Sequence, residues 1–275
     1  MSAVRVNTLG PLQITAGTTL TVAAGKQRAV LAVLLLYAGR VVPLHRIVDE
    51  LWEQAPRTAV SLVRQYVFHL RRILEPAKAA GLEIHTLAGG YQLSLPAAAG
   101  DADEFHRLVL LGRRQVTEGR PAEARLTADR ALALWRGPAF ADVPAGPLIA
   151  AERERLDEAR LGLQELAATA DMRSGDVTGA VGRLRALVIE HPLRENLHEA
   201  LVLALLTAGR RTDAMIAYRR ARATLLGELG LEPGAGLRRL ERAIRDDDVS
   251  RFRLPAQPAA CRWPAGCAPS CRYAG

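Results

Sequence analysis

The chain has 275 residues, of which 49% are hydrophobic, 24% charged and only 4% aromatic, with 37 Lys+Arg against 29 Asp+Glu. That length supports two ordinary cores. The composition excludes a disordered chain, a disulfide framework (all three Cys follow residue 260) and a membrane span, since the longest apolar run, Ala29 to Ala38, falls well short of the roughly 20 residues needed.

The positive charge is unevenly placed. Residues 1–98 hold 10 basic side chains against 5 acidic, residues 99–250 hold 23 against 24, and residues 251–275 hold 4 against none. Arginine outnumbers lysine 35 to 2, as GC-rich codons would give, so arginine content alone says little. A neutral middle beside a basic N-terminal segment says more: a polyanionic partner is expected there.

Residues 1–22 alternate as strands do, with Val4, Val6 and Leu9, then Leu12 to Ile14, then Leu20 to Val22, broken at Gly10-Pro11. A small antiparallel sheet is predicted. A helix follows from about Lys26 to Tyr37, with Ala29, Val30, Val33, Leu34 and Tyr37 at core spacing and Gly39 closing it. Val42-Pro43-Leu44 leads into a second helix, about His45 to Trp52, with Ile47, Val48, Leu51 and Trp52 inward.

The third helix, Arg57 to Leu74, is amphipathic in an uncommon way. Ala59, Val63, Tyr66, Val67, Leu70 and Leu74 share one face; Arg57, Ser61, Gln65, Phe68 and Arg72 share the opposite one, flanked by Arg64 and Arg71. No acidic residue appears before Glu75. Alone, the pattern fits an arginine-rich surface helix as well as a recognition helix lying in a major groove. The flanking segments decide between them. Leu82–Thr86 and Tyr91–Leu95, joined across Leu87-Ala88-Gly89-Gly90, read as a hairpin. A hairpin directly after such a helix is a wing, with Thr86, Gly89 and Tyr91 expected near phosphates.

After a short linker at 97–100, the pattern is helical throughout, with helices predicted over 101–117, 121–135, 147–172, 176–190, 193–208, 211–228 and 235–246. Gly175-Asp176-Val177-Thr178-Gly179-Ala180 matches Gly209-Arg210-Arg211-Thr212-Asp213-Ala214 at an offset of 34 residues, the tetratricopeptide period. Within that repeat Leu184 pairs with Tyr218 and Ile189 with Ala223. A looser copy begins Gly119-Arg120-Pro121-Ala122-Glu123-Ala124. Stacked helix pairs build a concave surface for a partner or a second copy, or else serve packing alone. The tail after Ser250 is Pro-rich and aperiodic, so disorder is expected. Its Cys261, Cys267 and Cys271 have no zinc-like spacing and no nearby histidine, so no metal and no cofactor are expected.

No phosphate-binding glycine loop, dinucleotide fingerprint, HExxH, GxSxG or CxxC occurs. The histidines (His45, His69, His85, His106, His191, His198) are expected at the surface or as caps. Glu152, Glu154, Asp157 and Glu158, interleaved with Arg153, Arg155 and Arg160, read as an exposed salt-bridged face. An enzyme is not expected. With no basic start leading into an apolar run, the expected location is the cytoplasm, at the nucleoid and away from membranes.

Several segments, in this order, resemble one family: Leu9-Gly10-Pro11-Leu12, Lys26-Gln27-Arg28, Ile47-Val48-Asp49-Glu50-Leu51-Trp52, Gln65-Tyr66-Val67 with Leu70-Arg71-Arg72, and Gly89-Gly90-Tyr91-Gln92-Leu93. Then come Ala131-Leu132-Ala133-Leu134-Trp135-Arg136-Gly137, Glu190-His191-Pro192-Leu193-Arg194-Glu195, Ala217-Tyr218-Arg219 and Glu228-Leu229-Gly230-Leu231-Glu232-Pro233-Gly234. Together they are similar to the Streptomyces antibiotic regulatory proteins (SARPs). The resemblance implies an OmpR/PhoB-type winged helix over 1–96, a bacterial transcriptional activation domain over 101–248 and a tail over 249–275. The fold class is mainly α: an α+β winged helix-turn-helix domain followed by an all-α tetratricopeptide-like helical-repeat domain.

The resemblance further implies a pathway-specific activator of a secondary-metabolite gene cluster. Such a protein would bind promoter direct repeats near the −35 element as a head-to-tail homodimer on double-stranded DNA and engage RNA polymerase holoenzyme. Arg57, Ser61, Arg64, Gln65, Phe68 and Arg72, with Arg71 on the flank, would meet DNA, with Arg suited to guanine, Gln to adenine and Phe68 to a thymine methyl. These segments include neither a receiver nor an ATPase domain, so control through a phosphoacceptor or a nucleotide by those means is not expected. A repressor of the same fold, or a helical-repeat scaffold that binds protein instead of DNA, are the alternatives.

Overall fold

In the computed structural model, residues 4–97 and 99–246 are described; the predicted tail and its three cysteines lie outside them. The chain packs as two compact units that divide between Ala170 and Asp171.

The first unit opens with β1 (Val4–Asn7), β2 (Gln13–Ala16) and β3 (Thr18–Leu20), an antiparallel sheet in chain order with Val6 opposite Ile14 and Ile14 opposite Leu20. Alternation buries Val4, Val6 and Ile14. α1 (Gly25–Leu36) is buried all round from Ala29 to Leu34, as a run with no polar face must be. β4 (Val41–Pro43) precedes α2 (Leu44–Leu51) and α3 (Ala59–Lys78); β5 (Glu83–Leu87) and β6 (Gly90–Ser94) follow. The second sheet has the order β4-β6-β5. The wing is therefore three-stranded where a two-stranded hairpin is predicted, because β4 pairs Val42 with Tyr91.

Helices α4 (Asp101–Thr117), α5 (Pro121–Leu132) and most of α6 (Pro147–Ser174) join the same core, in which Phe105, Leu108, Phe140, Ile149, Leu156 and Leu163 pack with the winged-helix residues. Three carboxylates, remote in sequence from their partners, fasten this arrangement. Asp101 accepts from Thr8 N at 2.7 Å, Thr8 Oγ1 at 3.0 Å and Leu9 N at 3.0 Å. Asp142 accepts from Leu12 N at 2.7 Å. Glu50 of α2, only 5% exposed, accepts from Gly146 N, Leu148 N and Ile149 N at 2.9, 2.7 and 3.2 Å. Glu50 thus caps the first turn of α6, where the free N–H groups and the helix dipole both favour an anion. The residues at 99–100 are pinned as well, since Val6 N donates to Ala99 O at 2.8 Å.

The acidic and basic run on α6 is only partly a solvated face. Arg155 pairs with Glu152 as expected, at 2.7 Å. Arg153 instead turns toward the 137–146 loop and donates to the carbonyls of Ala139, Phe140 and Val143, and Arg160 stacks over the Trp135 ring. A guanidinium that donates to three loop carbonyls contributes more there than on an exposed face.

The second unit contains α7 (Val177–Glu190), α8 (Glu195–Thr207), α9 (Arg211–Leu229) and α10 (Ala235–Arg245). The predicted repeat holds at the starts of α5, α7 and α9. Gly119, Gly175 and Gly209, each two residues before one of these helices, take φ of 73, 91 and 74°. Arg120 N and Arg210 N donate back to Gln115 O and Leu205 O, closing the preceding helices in Schellman fashion. Ala124, Ala180 and Ala214 are fully buried, so neighbouring helices approach closely there. The period then slips: α9 has 19 residues where α7 has 14, and α10 starts later than a strict 34-residue repeat would place it. Leu184 and Tyr218 are core partners as the repeat requires, whereas Ile189 and Ala223 are both exposed. His198 departs from the surface role expected of it. It is buried, and its Nε2 donates to Pro192 O at 2.8 Å, which satisfies the ring inside the unit.

Candidate nucleic-acid interface

α2 and α3, joined by the 52–58 turn, form the helix-turn-helix, with both helices packed on α1. α3 starts at Ala59, two residues later than predicted, which leaves Arg57 on the turn ahead of it. It also runs on through Pro76 to Lys78. A proline inside a helix removes one backbone bond, but Arg72 and Pro76 are both exposed, so water replaces it, and Ala77 continues the buried stripe.

Ala59, Val63, Val67, Leu70, Leu74 and Ala77 form that stripe; Tyr66 is only half-buried. Ser61, Arg64, Gln65, Phe68 and Arg72 are exposed along the other side, at the spacing of one helix face. Phe68 is 59% exposed, its ring edge-on to His69 at 5.7 Å between centroids. None of the side chains along this stripe is committed to an ion pair among the described residues. It presents three guanidiniums (counting Arg57), an amide, a hydroxyl and an exposed ring, the donor set that base edges and phosphates accept.

Arg71 has a different task. It is half-buried; its Nε donates to Ile84 O at 3.0 Å and its Nη2 to Thr86 Oγ1 at 2.7 Å. The guanidinium clamps the wing to α3 and fixes Thr86 beside the helix face. Lys78 adds a second tie to Glu83 at 2.9 Å; this bond holds the Glu83 carboxyl below its ordinary range and raises the Lys78 ammonium. At the wing tip, β5 and β6 are joined by Ala88-Gly89, with Gly89 exposed at φ 82°. Gly89 O accepts from Leu44 N at 3.1 Å, so the tip also caps α2.

Tyr91 corrects the prediction. It is 8% exposed and belongs to the core, because β6 alternates and the same face that buries Leu93 buries Tyr91. It supports the wing from beneath, as a core residue where a phosphate contact is predicted. The sequence reading gave no role to His45 and Arg46, which α2 exposes, Arg46 stacking over Tyr37 at 5.9 Å. Nor did it assign one to Lys26, whose ammonium lies 4.2 Å from the Trp52 ring at the start of the turn. The polar face of α2 was legible from periodicity; the Lys26–Trp52 contact was not.

The family profile described as bacterial transcriptional activator domain matches residues 100–245, and the one described as transcriptional regulatory protein, C terminal, matches residues 19–93. Regulatory protein DnrI of Streptomyces peucetius is 38% identical over 265 residues, spanning 93% of this chain and 97% of that protein. The chain belongs to the Streptomyces antibiotic regulatory protein family. It is a SARP-type transcription regulator, with a winged-helix segment followed by a helical one. Regulatory protein AfsR of Streptomyces coelicolor is 37% identical, covering 94% of this SARP but with only 26% of its own length matched. The solved structure of Mycobacterium tuberculosis EmbR in complex with a low affinity phosphopeptide superposes with a TM-score of 0.82 at 31% identity, over 90% of this SARP and 66% of that chain. Among the described residues, no helix is long and apolar enough to cross a membrane.

Proposed function

We propose that this SARP is a sequence-specific activator of an antibiotic or other secondary-metabolite gene cluster. It acts in the cytoplasm, at the nucleoid. It binds direct repeats near the −35 element as a head-to-tail homodimer and recruits RNA polymerase. The observation that carries this reading is the exposed, acid-free stripe of α3 beside a wing clamped by Arg71. A helix packed by one stripe and presenting Arg64, Gln65, Phe68 and Arg72 on the other enters a major groove; Arg57, Ser61, Thr86 and Gly89 then reach the flanking backbone. Direct repeats suit head-to-tail protomers, one per helical turn of DNA.

Arg64 and Arg72 separate reading from gripping. Arg64→Ala or Arg72→Ala is expected to weaken binding to the operator by about 1–3 kcal/mol if the side chain reads a base, with relaxed preference at one position. An arginine that meets only phosphate weakens all sequences alike and flattens the salt dependence by about one charge. Quantitative gel-shift titration of both variants at two salt concentrations measures this. Unchanged affinity in both would remove α3 from the interface. Transcription in vitro with purified holoenzyme tests activation: a rise in transcript is expected, and repression alone contradicts it.

A further inference from the structure

Residues 99–250 are close to neutral as a whole, yet α9 and α10 gather arginines along the groove between them. This groove, of about 750 Å³, is lined by Arg219 and Arg222 from α9 and by Arg238, Arg242 and Arg245 from α10. Glu232 and Glu241 are its acidic members. Arg222 binds both oxygens of Glu232, at 2.8 and 2.6 Å, and Arg245 pairs with Glu241 at 2.7 Å. Arg219, Arg238 and Arg242 are exposed and have no carboxylate within ion-pair distance among the described residues. Three positive charges are thus left over in one concavity.

The groove is also preformed. Gly234 N donates to Glu195 Oε1 at 2.5 Å at the start of α10, Leu237, Leu240 and Ile244 bury its inner face, and Arg211 of α9 donates to Ile244 O at its end. Long arginines on a fixed backbone lose less freedom on binding than they would on a mobile one.

We infer that this groove docks an acidic segment of a partner protein. Arg238 and Arg242 lie at i and i+4 on α10, about 6 Å apart along its axis, with Arg219 of α9 lining the same groove, a set that matches carboxylates along one face of a helix or on alternate residues of an extended chain. A groove of about 750 Å³ over two packed helices has room for a peptide segment, whereas the phosphates of a duplex would meet its rim alone. Met215 and Ala235 in the lining favour a segment with an apolar residue among its acidic ones. The chain's own tail supplies no complement: after Asp248 it contains four arginines and no acidic residue. The inference stands independently of DNA binding by α3.

The test is a titration of the full chain into a fluorescein-labelled ten-glutamate peptide, read by anisotropy, beside the same titration into duplex DNA. Arg238→Gln with Arg242→Gln is expected to weaken peptide binding about fivefold or more, with Arg219→Gln weakening it in the same direction. All three residues are exposed, so melting temperatures should be unchanged. DNA affinity should also be unchanged, while Arg64→Ala should leave the peptide unaffected. The inference is overturned by absent peptide binding, by equal binding to wild type and variants, or by an equal loss of DNA affinity. Displacement of the peptide by equimolar pyrophosphate would also overturn it, marking a small-phosphate site instead.

Discussion

Glu50→Ala is expected to lower the melting temperature of the protein by roughly 6–12 °C, the equivalent of about 3 kcal/mol or more for a unit of this size. Glu50 is buried and is the acceptor for three backbone N–H groups, those of Gly146, Leu148 and Ile149. Alanine leaves these donors unpaired in the interior, where each costs about 1–3 kcal/mol unless water enters. A carboxylate at a helix N-terminus also interacts with the dipole, an effect alanine forfeits. The region cannot readily repack, because Gly146 already touches Glu50 so closely that a Cβ there would overlap the Glu50 backbone oxygen. Glu50→Gln keeps one acceptor oxygen and should fall between the two. A calorimetric melt that moved by less than a degree in Glu50→Ala would show that the cap is dispensable. The consequence reaches function because α2 leads into α3: the bond that caps α6 also fixes the helix-turn-helix on its support.

Gly90→Ala is expected to disrupt the wing and, with it, DNA affinity, whereas the neighbouring Gly89→Asn should leave the fold and its melting temperature nearly unchanged. A Cβ at Gly90 would overlap the Val42 carbonyl oxygen and approach Pro43 Cα at 3.1 Å. Both obstacles are backbone, so no rotamer relieves them; β4 must separate from β6 at a cost of about 1–3 kcal/mol or more. Gly89 differs in kind. Nothing lies within 4 Å of a Cβ there, and its constraint is φ of 82°, which asparagine tolerates and β-branched residues do not. Two adjacent glycines are thus required for two reasons, close approach and handedness. Melting curves and gel-shift titrations of both variants check this. Equal behaviour of the two would contradict the separate roles.

Elements with a local signature were legible in the sequence. The helices of both units stand near their predicted bounds because their apolar residues recur at helical spacing over many turns, and Gly119, Gly175 and Gly209 mark where chains turn between them. The exposed face of α3 was legible for the same reason: once Val63, Val67, Leu70 and Leu74 are inside, Ser61, Arg64, Phe68 and Arg72 must be outside. What escaped depends on partners far along the chain. β4 has three residues, one a proline, and becomes a strand only by pairing with β6. Arg71 looks identical to Arg72 until Ile84 and Thr86 come beside it. Glu50, Asp101 and Asp142 carry no sequence mark of their task, since nothing nearby in sequence foretells the backbone donors that meet them. Tyr91 misled because strand alternation in a short hairpin can be read from either face until the register is known.

DNA recognition by α3 and its wing is tested most directly by gel-shift titration of the intact protein against promoter fragments of the gene cluster around its own gene, with excess nonspecific competitor and at two salt concentrations. A complex on fragments carrying direct repeats that survives competitor, occupies two protomers per repeat pair and weakens with salt in proportion to the phosphates neutralised is the expected result. A complex that vanishes with competitor on every fragment would leave only an electrostatic grip and contradict sequence-specific binding.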